Sequence, residues 1–147
     1  MNGNENGPPQ PAPLDRIPPE LVSAGDYERL AESHLAPRIA AWLFGGAADE
    51  ETLRENRDAF RRLRLKPRVL RALEGGDTRL TLFGQTLDYP ILLAPIAHQR
   101  LVHPQGELAT VLAASAVGAA MVVSTQASIA LEDIAAQART PLWFQLY

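Results

Sequence analysis

Three short runs constrain the fold most: "PILLAP" at 90–95, "AMVVST" at 120–125 and "PLWFQL" at 141–146. A strand with one face on water alternates apolar and polar residues. A run that is apolar almost throughout reads as a strand buried on both faces. Between the runs lie "HPQGELATVLAASAVGA", read as a helix started by Pro104 and ended at Gly118, and "ALEDIAAQA", read as a second helix. Strand, helix, strand, helix, strand with short joints is the pattern of a parallel α/β sheet or barrel, whose ligands sit at the C-terminal ends of the strands.

What precedes these runs is different in kind. Residues 1–19 hold six prolines, two glycines and three asparagines, with few apolar side chains to repay the entropy of ordering, so a disordered leader is expected. From Asp26 the spacing of Tyr27, Leu30, Ala31, His34 and Leu35 is helical, and Pro37 opens a second short helix, "PRIAAWLF", which Gly45 and Gly46 stop. Asp49 is expected to cap a third helix, "DEETLRENRDAFRRL", with Glu50 and Glu51 near its positive end. Leu53, Asn56, Arg57, Phe60 and Leu63 share one face of that helix, which is expected to dock on something larger. Alternation over Arg79 to Phe83, a turn at Gly84 and Gln85, and a return over Thr86 to Tyr89 read as a small hairpin.

Composition narrows the function. A net charge of -3 leaves no basic surface for nucleic acid, and the lack of cysteine removes disulfides, thiolate nucleophiles and zinc-thiolate sites. No apolar run reaches the ~20 residues that span a bilayer, and the first twenty residues lack a signal-peptide pattern. A cytoplasmic protein is expected.

Five stretches, taken in order, resemble one family. "GGAADEETLRENRDAF", "LKPRVL", "ILLAPIAHQRLVHPQGELAT", "VVSTQASIALEDIA" and the closing "FQLY" are similar to the FMN-dependent α-hydroxy-acid oxidases and dehydrogenases, from about Tyr27 to Tyr147. The resemblance implies an α/β fold, a TIM (β/α)8 barrel preceded by helices, of which this chain supplies the N-terminal helices, a hairpin and the first three barrel strands, over 20–147. It implies FMN as cofactor, a small 2-hydroxy acid as substrate, and a homo-oligomer, a homotetramer in the family.

By the same resemblance, Pro95, Ile96 and Ala97 run their backbone beside the flavin; the family commonly has Thr at the position of Ile96. Ser124 matches a serine that hydrogen-bonds the flavin ring, Gln145 offers its amide to the pyrimidine part, and Tyr147 reaches the substrate and stabilises developing charge. Each also has a structural reading: a strand-to-helix turn for Pro95 to Ala97, a cap for Ser124, a buried polar pair for Gln145 and Tyr147. Strand alternation puts Gln145 and Tyr147 on one face, with Phe144 and Leu146 on the other.

Trp42 stands where glycolate-oxidase-like members place a tyrosine that binds the substrate carboxylate. It leans toward an aromatic or bulky 2-hydroxy acid, with helix packing an equal reading. None of His34, His98 and His103 matches the family's base, and three scattered histidines make a poor metal site.

A barrel of this kind needs ~250 residues. The base, the carboxylate-binding arginine, a lysine near the flavin and the phosphate site are expected on strands beyond Tyr147, so the 147-residue chain alone is expected neither to bind FMN tightly nor to turn over. Two other readings stay open: a different FMN barrel, such as the type 2 isopentenyl diphosphate isomerase, and an inactive barrel remnant acting as an interaction module.

Overall fold

The computed structural model describes Ala12 and residues 14–147. The leader expected over 1–19 therefore lies largely outside the described residues. The chain divides into two compact units, Met1–Leu73 and Glu74–Tyr147.

The first unit carries α1 (Ala24–His34), α2 (Pro37–Phe44) and α3 (Glu51–Arg62). Helix α1 begins earlier than its apolar spacing implied, because Asp26 at its third position reaches back to accept the Ser23 N–H at 2.8 Å and the Ser23 hydroxyl at 2.7 Å. Pro37 opens α2 as expected, and Gly45 follows its last residue.

Two readings change in α3. The residue before the helix is Glu50, not Asp49: Glu50 takes a left-handed backbone at φ 58° and its carboxylate turns back to accept the Gly46 N–H at 3.0 Å. No residue of α3 is buried, so the expected docking face, Leu53 and Phe60 included, stays exposed. The helix is tied to α1 by the Arg57–Glu28 ion pair.

The second unit starts with the hairpin, β1 (Leu80–Leu82) and β2 (Gln85–Leu87), antiparallel with Leu82 opposite Gln85. Its turn is Phe83-Gly84, one residue earlier than the sequence implied. Both turn residues have positive φ, 49° and 78°, which matches the right-handed twist of a two-residue hairpin.

Then come β3 (Leu92–Leu93), α4 (Glu107–Val117), β4 (Ala120–Ser124), α5 (Leu131–Gln137) and β5 (Leu142–Gln145). The three strands form one parallel sheet in the order β3-β4-β5. Pro104 does not start α4. It lies in a turn three residues upstream, and Gly106, at φ 48° and ψ -130°, is the residue that turns the chain into the helix. Gly118 ends α4 in the left-handed conformation, as expected.

The core lies on the helix side of the sheet. Met121 and Val123 of β4 pack with Val111 and Ala114 of α4 and Ile134 of α5, joined by Leu93 and Leu142, which are both register partners of Met121. Alternation then assigns Val122, Ser124, Trp143 and Gln145 to the opposite face. At the start of β5 that face meets the hairpin: Trp143 donates its indole N–H to Gln85 Oε1 at 2.9 Å, and its ring meets Phe83 edge-on at 5.3 Å.

Candidate functional site at the C-terminal strand ends

In a parallel α/β sheet the loops that leave the C-terminal strand ends are free to shape a site, because the helices cover the faces. Here those loops run from Ala94 to Gly106 after β3 and from Thr125 to Ala130 after β4.

The polar centre is the pair at the ends of β4 and β5. Ser124 and Gln145 are register partners. Ser124, 5% exposed, donates its hydroxyl to Gln145 Oε1 at 3.4 Å and accepts the Gln126 N–H at 3.1 Å. The Thr125 N–H also donates to Gln145 Oε1, at 3.3 Å. A backbone N–H can only face an acceptor, so this contact fixes which end of the amide is oxygen. It leaves Nε2 of Gln145 with no acceptor among the described residues. The Thr125 hydroxyl donates to the Gln145 carbonyl and tightens the same corner.

Pro95, Ile96 and Ala97 follow β3 without regular structure, with Ile96 half exposed and its carbonyl accepting Gln99 Nε2 at 3.4 Å. His98, in a left-handed conformation, donates its N–H to Gln126 O at 3.0 Å and so joins this loop to the one after β4. His103 accepts the Gln105 N–H on Nδ1 at 3.2 Å. Tyr147 lies past the end of β5 and is 82% exposed, so the strand alternation assumed for it ends at Gln145. Trp42, half exposed on α2, belongs to the first unit. Among the described residues no group of three or more His, Asp or Glu gathers as a metal site.

Glu107 and Gln99 were not singled out from the sequence. Both are buried polar residues at the base of these loops, and the only signal for Glu107 was its place in "HPQGE". A cleft of about 440 Å³ lined by Arg100, Leu108, Ser128, Ile129, Asp133 and Gln137, among others, holds none of the expected site residues.

The three-stranded parallel sheet, with α4 and α5 packed against it, defines an α/β protein. The chain belongs to the FMN-dependent dehydrogenase family, whose model matches residues 31–147 and whose cofactor is FMN. It is 48% identical over 136 residues to the L-lactate oxidase of Alicycliphilus denitrificans, covering 92% of this chain and 37% of that protein. It is 43% identical over 126 residues to the 4-hydroxymandelate oxidase of Amycolatopsis orientalis, covering 86% of this chain and 35% of that one. A crystal structure of mandelate oxidase with 3,3-difluoro-2-hydroxy-3-phenylpropionic acid superposes with a TM-score of 0.78 at 41% identity, over 84% of this chain and 37% of that chain. The chain thus spans little more than a third of the relatives it matches. Among the described residues no helix is long and apolar enough to cross a membrane.

Proposed function

We propose that this chain is the N-terminal portion of an enzyme that oxidises a 2-hydroxy acid to the 2-oxo acid with FMN, and that β3, β4 and β5 are the first three strands of its (β/α)8 barrel. The observation that carries the reading is the Ser124–Gln145 pair: two strand-end residues in register, with a pair of amide hydrogens left for a ligand. Relatives named for lactate, glycolate and hydroxymandelate oxidation support the reaction class.

The residues present fit a flavin. A planar ring with carbonyl and N–H edges needs fixed donors and acceptors, and the backbone of the exposed residues Pro95 and Ile96, the amide of Gln145 and the remaining lone pair of Ser124 are of that kind. Bound FMN supplies the acceptor for the two electrons that leave the substrate carbon. In this reading Gln145 orients the pyrimidine edge and Ser124 fixes Gln145. Tyr147 donates its phenol toward charge developing on the substrate, and Trp42 shapes the substrate side in favour of an aromatic or bulky acid. The base, the carboxylate-binding arginine and the phosphate site belong to later strands of the family's barrel, and the assembled enzyme is a homotetramer.

The test uses the longest protein encoded with these residues. It is expected to bind FMN and to convert mandelate or lactate to the oxo acid, with the 147-residue chain alone doing neither. A full-length protein that binds FMN but oxidises no 2-hydroxy acid would remove the reaction and leave the cofactor.

A further inference from the structure

Glu107, the first residue of α4, is 1% exposed. A carboxylate taken out of water is costly unless donors replace the lost hydration. One oxygen, Oε1, accepts two backbone N–H groups, from Gln99 at 3.2 Å and from Ser128 at 2.8 Å. The other, Oε2, is buried with no partner among the described residues. The two amides come from different loops: Gln99 lies after β3 and Ser128 after β4.

The surrounding bonds follow the same division. The Arg100 N–H donates to Ser128 Oγ at 3.1 Å and the His98 N–H to Gln126 O at 3.0 Å, both across the two loops. Thr110 of α4 donates to Gln99 Oε1 at 2.6 Å, while Gln99 Nε2 reaches Ile96 O at 3.4 Å, which carries the support back to the stretch after β3. A single acceptor that receives both loops at once fixes their spacing, and two neutral acceptors on separate elements would not.

We infer that Glu107 is a positioning residue: it clasps the loops that carry Pro95 to Ala97 and Thr125, and sets FMN affinity without contacting FMN. This rests on the function proposed above. Glu107→Gln keeps an acceptor for both amides, Glu107→Leu removes it, and Glu107→Asp shortens its reach by one methylene and serves where the leucine variant fails to fold.

Two readouts are taken on the longest protein encoded with these residues: FMN titration, and amide hydrogen exchange of the FMN-free protein over 98–100, 126–129 and the β1–β2 hairpin. Glu107→Leu or Glu107→Asp is expected to weaken FMN binding by about tenfold or more and to speed exchange in both loops together, with the hairpin unchanged. Glu107→Gln is expected to stay within about threefold of wild type. Unchanged loop exchange with unchanged FMN affinity would overturn the inference, and so would faster exchange spread equally into the hairpin. A wild-type protein that binds no FMN would instead sink the proposed function and the flavin half of this inference, with the exchange data still deciding whether the clasp exists.

Discussion

Ser124 donates its hydroxyl to Gln145 Oε1 across the β4–β5 ladder, where the two are register partners, so the serine is already committed before a ligand arrives. With the Gln126 N–H on one lone pair, one acceptor position of the hydroxyl remains. The group with free donors is Gln145.

This ordering gives unequal effects. Gln145→Leu removes the ligand-facing donors and is expected to cost FMN affinity more than Ser124→Ala, which only loosens the glutamine. Because the residues act as one unit, the double variant is expected to fall short of the sum by about 0.5–1.5 kcal/mol, read from FMN titrations of the four proteins.

Gly106 is held by its surroundings as well as its conformation. A Cβ there would stand 2.9 Å from Arg100 Cγ and 3.3 Å from the Arg100 nitrogen, on a backbone at φ 48°. Gly75, at φ 77° with nothing within 4 Å, is a comparison site with positive φ and open space. Gly106→Ala is expected to destabilise by about 1–3 kcal/mol in denaturant unfolding, and Gly75→Ala by less.

Asp26 anchors the start of α1. The hydrogen bonds from the Ser23 hydroxyl and the Ser23 N–H hold its carboxyl below the ordinary carboxylate range. A group whose folded value is depressed stabilises above its unfolded value, and that contribution is lost as pH falls through the folded value. The first turn of α1 is therefore expected to fray in acid. Ser23→Ala should raise the Asp26 titration midpoint in an NMR pH series and move the fraying to higher pH.

In the proposed reading Trp42 presents an indole to the substrate side. Trp42→Tyr is expected to shift the kcat/KM ratio of the full-length enzyme from mandelate toward glycolate by about tenfold, the scale of one hydrogen-bonding or small packing change. An unchanged ratio would leave Trp42 as helix packing.

Much of the fold was legible because burial wrote it into local pattern. The β4 run is apolar from Ala120 to Val123 and is largely buried, whereas no residue of β3 or β5 is buried, so the two-face burial read for all three runs holds for the central strand alone. What the pattern missed turned on single backbone choices. Glu50 takes the left-handed position before α3, Phe83 rather than Gln85 joins Gly84 in the turn, and Gly106 rather than Pro104 leads into α4. None of these alters hydrophobic period, so none could be read from it.

The site divides the same way. Ser124 and Gln145 were singled out through resemblance, and the register places them opposite one another. Tyr147 could not be placed by alternation, because the strand that would carry it stops at Gln145. Glu107 escaped notice because a buried carboxylate at a helix start looks, in sequence, like any acidic residue favoured by the helix dipole.

We propose that the C-terminal ends of β3, β4 and β5 hold FMN. Amide hydrogen exchange of the longest protein encoded with these residues, with and without FMN, tests it most directly. The expected result is slower exchange on FMN addition at 94–98, 124–126 and 143–147, with the β1–β2 hairpin unchanged. Slower exchange confined to the hairpin, or to no part of residues 91–147, would contradict it.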